Sequence, residues 1–151
     1  MKTMLLAPLG ALLLAACATT TPPATPAGPD FLVRNGAAKH VVTTASGLQY
    51  FIVKKGPKTG RMPVDGDTVT FDYEGTLTTG SVFDSSFARG EPISGEVGAF
   101  VPGFTEALKL MRPGDEWIVW IPPQLGYGDR ELDGIPANSV LRFRLALRKV
   151  G

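Results

Sequence analysis

The sequence predicts an α+β domain in which a curled antiparallel β-sheet wraps around one short α-helix. Three observations carry that prediction. Stretches of period-two alternation, such as Asp67-Thr68-Val69-Thr70-Phe71-Asp72-Tyr73-Glu74, recur between turns rich in Gly and Pro, the pattern of half-buried strands. Only one segment in the body has helical period: Phe104, Ala107, Leu108 and Met111 fall at i, i+3, i+4 and i+7. Many strands and a single helix bury their apolar faces most simply when the sheet curls over that helix.

The elements follow in order. Asp30 to Lys39 reads as a short helix capped by Asp30. After a Ser46-Gly47 turn, Leu48 to Lys55 forms a strand, and Pro57 to Gly66 a loop. Asp67 to Glu74 is the next strand, followed by Leu77 to Asp84 with Thr79-Gly80 as its hairpin turn. Pro92 to Val97 is a short extended piece. The helix runs from Pro102 to Met111, where Arg112-Pro113-Gly114 stops it. Glu116 to Ile121 and Ser139 to Val150 complete the sheet. Trp117 and Trp120 point to opposite strand faces, so one is expected to be buried and one partly exposed. His40 is expected at the surface.

The N-terminal region reads as an address rather than a fold. Lys2 precedes an apolar run from Met4 to Ala16, too short for the ~20 residues of a membrane-spanning helix and suited to a secretory signal peptide. Leu14-Ala15-Ala16-Cys17 resembles the bacterial lipobox, which implies cleavage before Cys17 and lipidation of that cysteine. The plainer alternative is an ordinary signal with an incidental thiol. Ala18, in place of Asp, implies retention in the outer membrane, facing the periplasm. The expected organisation is a signal peptide over 1–16, a Pro/Thr/Ala-rich tether over 17–30 and an N-terminal extension over 31–46. One domain then spans 47–151.

Composition excludes several chemistries. Net charge is +1, with Lys and Arg interspersed among Asp and Glu, so no basic block suits a nucleic-acid backbone. With one cysteine, no internal disulfide forms. The only histidine is His40. No metal-ligand cluster, cofactor motif or long helical dimerisation segment is apparent, so a monomer without a cofactor is expected.

What remains is a series of aromatic and apolar blocks: Phe71-Asp72-Tyr73-Glu74-Gly75, Phe83-Asp84-Ser85-Ser86, Phe100-Val101-Pro102-Gly103-Phe104, Leu125-Gly126-Tyr127-Gly128 and Ile135-Pro136-Ala137-Asn138. A pocket built from these is rich in Tyr, Phe and Ile and lacks histidine and cysteine. It points to catalysis by conformation, or to binding.

In order and spacing these blocks resemble FKBP-type peptidyl-prolyl cis-trans isomerases, over roughly Ser46 to Val150. The resemblance implies a rotamase acting on X-Pro bonds of envelope proteins, with proline-containing polypeptides as partners and the family's macrolide inhibitors as ligands. It implies Phe104 as the pocket floor, where the family usually has Trp. Tyr73, Phe83, Ile93, Val101 and Phe143 would be the walls, Ile93 standing where some members carry Phe. Tyr127 would donate a hydroxyl to a substrate carbonyl, and Ile135 would close the rim. Asp84 would present its carboxylate to the twisting amide, with Arg89 and Tyr73 as its partners. Apart from the family, each position has a plainer role. Tyr73, Phe143 and Phe104 would be core, and Asp84 a turn cap before two serines. A non-catalytic peptide-binding chaperone or assembly adaptor is the functional alternative.

Overall fold

The computed structural model describes residues 29–151. The expected signal peptide, Cys17 and nearly all of the tether lie outside the described residues. Strands β1 (Val42–Thr43), β2 (Gln49–Lys54), β3 (Thr68–Leu77), β4 (Val82–Ser85), β5 (Ile93–Glu96), β6 (Glu116–Ile121) and β7 (Leu141–Val150) form one antiparallel sheet. Its order is β1-β2-β6-β7-β3-β4, with β5 also pairing β3. The helices are α1 (Pro29–Gly36), the single turn α2 (Ser86–Arg89) and α3 (Pro102–Leu110). Among the described residues, no helix is long and apolar enough to cross a membrane.

The amphipathic helix read from the sequence is α3. Phe104, Ala107, Leu108 and the adjoining Met111 are all buried. Pro102 occupies its first turn, where a missing N–H leaves no intrahelical bond unmade. Glycine at 103 brings the helix down onto the sheet: a Cβ there would lie 2.6 Å from Cγ2 of Ile121. Against α3 the sheet sets Val69, Phe71, Val119, Ile121, Leu141, Leu145 and Leu147, alternate residues of its central strands.

Strand β3 is the hinge of the design. Along one edge it pairs β7 over nearly its whole length, from Val69↔Val150 to Leu77↔Leu141. Along the other it pairs β5 through Phe71 and β4 from Glu74 onward. Asp72 and Tyr73 fall in the gap between these two partners. There the buried Ser86 hydroxyl accepts from the Tyr73 N–H at 2.8 Å and donates to Asp72 at 3.0 Å. A backbone donor that lacks a strand partner is thus satisfied by a side chain. Ser85 caps α2 by accepting from the Ala88 N–H at 3.1 Å. The two serines after Asp84 therefore have distinct structural tasks, and the capping role expected of Asp84 in the plainer reading falls to Ser85.

Several boundaries differ from expectation. The first helix begins at Pro29, inside the expected tether, and ends at Gly36, so Asp30 lies in its first turn rather than capping it. The helix is held to the sheet by the buried Gln49, whose amide nitrogen donates to the Leu32 carbonyl while its oxygen accepts from Asn35. The turn α2 is a second helix in the body, where only one was expected. Four residues show no period, and α2 depends on the Ser85 cap and the Gly90 left-handed terminus. Trp117 is buried and stacks on Tyr50 at 4.3 Å between centroids, while Trp120 is half-buried. His40 is exposed.

Candidate active site

The aromatic blocks converge on a cavity of about 490 Å³. Its hub is Phe104, carried on the first turn of α3. The Phe104 ring centroid lies 5.1 Å from Phe143 in an edge-on contact, 5.1 Å from Phe100, 5.3 Å from Phe71 and 6.3 Å from Tyr73. These separations match the attractive geometries of aromatic pairs, so each ring fixes the orientation of its neighbours. Phe83 of β4 meets Phe143 edge-on at 5.6 Å. Gly75 permits that contact: a Cβ at this position would lie 2.5 Å from the Phe83 ring and 2.8 Å from the Phe143 ring.

The remaining expected residues divide clearly. Ile93, Val101, Tyr127 and Ile135 all line the same cavity, as do Tyr73, Phe83, Asp84 and Phe143. Arg89 does not line it and instead contacts Asp84 from behind. Phe71, Ala99, Phe100, Leu132 and Asp133 also line the cavity, although the sequence did not single them out as site residues. Phe71 and Phe100 lie inside motif blocks and were legible there. Leu132 and Asp133 sit in a loop with no periodic signal.

One edge of the cavity is polar. The Tyr73 hydroxyl donates to one oxygen of Asp84, and the Arg89 guanidinium donates to the other. Arg89 also reaches the Tyr73 oxygen at 3.2 Å, with its guanidinium carbon 5.8 Å from that ring's centroid. The Ser85 N–H adds a further donor to Asp84 at 2.9 Å. The Tyr73 hydrogen bond, assisted by Arg89, holds the Asp84 carboxyl below its ordinary range despite the opposing effect of partial burial. Burial, reinforced by the adjacent carboxylate, pushes the Tyr73 phenol upward. Near neutral pH the pair is therefore a fixed carboxylate beside an intact phenol, a static dipole rather than an acid–base couple. Asp84 and Arg89 each remain close to half exposed, which limits the stability their contact contributes.

Comparison with known proteins places this architecture. Residues 59–148 match the model of the FKBP-type peptidyl-prolyl cis-trans isomerase domain. The chain is 44% identical over 124 residues to the outer membrane protein MIP of Legionella longbeachae, covering 82% of this chain and 52% of that protein. It is 41% identical over 123 residues to the FKBP-type peptidyl-prolyl cis-trans isomerase FkpA of Escherichia coli K12, covering 82% and 45%. The chain thus spans about half the length of these curated relatives. The crystal structure of E. coli FkpA superposes with a TM-score of 0.76 at 40% identity, covering 80% of this chain and 56% of that one. The crystal structure of AtFKBP13 superposes at 0.67 with 30% identity, covering 74% of this chain and 98% of that one. With most of its length matched by that family's model and its fold shared with these structures, the chain belongs to the FKBP-type peptidyl-prolyl cis-trans isomerase family.

Proposed function

We propose that this protein is a peptidyl-prolyl cis-trans isomerase acting on X-Pro bonds of envelope proteins as they fold. The observation that carries this is the aromatic cavity around Phe104 with the Tyr73–Asp84–Arg89 cluster at its edge. An X-Pro amide is planar by resonance, and rotation crosses a barrier of ~18–20 kcal/mol. Halfway round, conjugation is lost, charge separation falls and the proline nitrogen becomes pyramidal. The twisted state is less polar than the planar one, so a dry apolar cavity favours it selectively. Uncatalysed rotation takes tens of seconds. Reaching milliseconds requires roughly 10⁴-fold, or about 5–6 kcal/mol of selective stabilisation. The proline ring packs on Phe104 between Tyr73, Phe83 and Phe143. Tyr127 and the Val101 N–H donate to substrate carbonyls, Ile135 and Ile93 close the sides, and Asp84 presents its fixed negative charge to the rotating amide. No proton is transferred and no bond to the enzyme is formed.

The decisive experiment is a prolyl-peptide isomerisation assay on the purified protein. Acceleration over the spontaneous rate is expected. Peptide binding without acceleration would instead assign the pocket to a chaperone or adaptor. Tyr127→Phe removes one hydrogen bond, worth about 0.5–1.5 kcal/mol. A roughly 2- to 12-fold fall in kcat/KM is expected, with the thermal midpoint unchanged. A drop in midpoint without loss of kcat/KM would refute a role in binding. Macrolide ligands of the family are expected to compete for the same cavity.

The same proposal places the protein in the bacterial envelope, as a monomer anchored by lipid on Cys17. It is supported by the Leu14-Ala15-Ala16-Cys17 sequence and by the similarity to the Legionella relative, which is named an outer membrane protein. A single acyl chain holds only marginally, whereas several on one cysteine anchor firmly. Cys17→Ser is expected to release the protein from the membrane fraction of expressing cells. Equal retention of the variant in membranes would refute the anchor.

A further inference from the structure

We propose that Asp133 makes this isomerase selective for proline flanked by a cationic residue. The inference rests on the isomerase reading and specifies its substrate class. Asp84 and Asp133 are the two acidic residues lining the cavity. The charge of Asp84 is already engaged by Arg89 and by the Tyr73 hydroxyl. Asp133 is exposed and takes part in no ion pair among the described residues. It is therefore the one acidic charge on the cavity wall without a cationic partner among the described residues.

The position of Asp133 is built rather than incidental. Leu132 and Ile135 pair across a tight turn, with Leu132 N–H donating to the Ile135 carbonyl at 3.0 Å and Ile135 N–H to the Leu132 carbonyl at 2.9 Å. Gly134, at φ 77, supplies the left-handed residue this turn needs. The turn lies against the pocket wall, since a Cβ on Gly134 would be 3.8 Å from Cβ of Phe83. Ile135 is buried and anchors the turn from below, while Leu132 is 41% exposed at the cavity. An exposed leucine next to a free carboxylate matches a lysine or arginine side chain. The methylene stem lies on Leu132 and the charged end meets Asp133. A glutamate at the same place would face a like charge.

The test is kcat/KM on X-Pro peptides carrying Lys, Leu or Glu immediately before proline, and a second series varied immediately after it. The full protein is used at low and at high salt. An exposed charge pair contributes modestly, so Lys is expected to exceed Glu by about 5-fold at low salt in at least one series. High salt should compress that ratio. Asp133→Asn should compress it without salt, and Asp133→Lys should invert it. The exposed side chain makes the thermal midpoint of both variants a suitable control for folding. Equal rates for Lys and Glu peptides in both series would overturn the proposal while leaving the isomerase reading intact. So would an order unchanged by Asp133→Lys in a variant of normal midpoint. Absence of acceleration on every peptide would overturn the isomerase reading, and this inference with it.

Discussion

Phe104→Ala is expected to lower both stability and turnover, by more than any other single truncation at the site. Its side chain is 5% exposed and touches Phe71, Phe100, Tyr73 and Phe143, so its removal opens a void among rings that cannot all collapse inward. Truncating a buried phenylalanine typically costs about 3–5 kcal/mol. For a domain of this size that is roughly 10–20 °C in thermal midpoint. Turnover per folded molecule should fall as well, because the proline ring loses its floor and the four surrounding rings lose the contact that orients them. Thermal denaturation and the peptide isomerisation assay on the same preparation separate the two losses. An unchanged midpoint would show that α3 does not seat Phe104 in the core. A lowered midpoint with full activity per folded molecule would confine Phe104 to structure.

The parts of this molecule that sequence made legible share one property: their signal repeats along the chain. The helix α3 was readable because four apolar residues at helical spacing face the sheet, and the central strands because their alternation marks one buried face. The walls of the cavity were readable because aromatic blocks recur at family spacing, and the structure brings Tyr73, Phe83, Phe104, Tyr127 and Phe143 to one cavity. What escaped is fixed by contacts distant in sequence. The turn α2 exists where Ser86 fills the gap in the β3 edge thirteen residues upstream, a relation with no local pattern. The two-residue strand β1 is set by its pairing with β2. Leu132 and Asp133 reach the cavity because a two-bond turn folds their loop back against Phe83, and turns of this kind leave only a glycine as their trace.

Asp84→Leu separates catalysis from structure most sharply. The carboxylate sits at the cavity edge with donors from Tyr73, Arg89 and Ser85, yet it does not cap α2, because Ser85 does. If the charge acts on the rotating amide, leucine at this position should reduce turnover while the midpoint moves little, since apolar side chains already line the cavity. A bond to a charged group contributes about 1.5–3 kcal/mol, and the half-exposed setting argues for the low end, roughly tenfold in rate. If Asp84 only steadies the loop, stability should fall by ~1 kcal/mol with activity per folded molecule unchanged. The pH profile gives an independent readout. Because the folded carboxyl is held below its usual range, its contribution to stability is complete above about 3.9 and is lost as pH falls through the depressed value. The Tyr73 phenol is pushed upward, so neither group titrates near neutrality. Turnover should therefore be flat between about pH 6 and 8, where both groups hold the forms shown by the geometry. A bell-shaped profile in that window would contradict rotation without proton transfer. Full activity of Asp84→Leu with a lowered midpoint would remove Asp84 from the catalytic account.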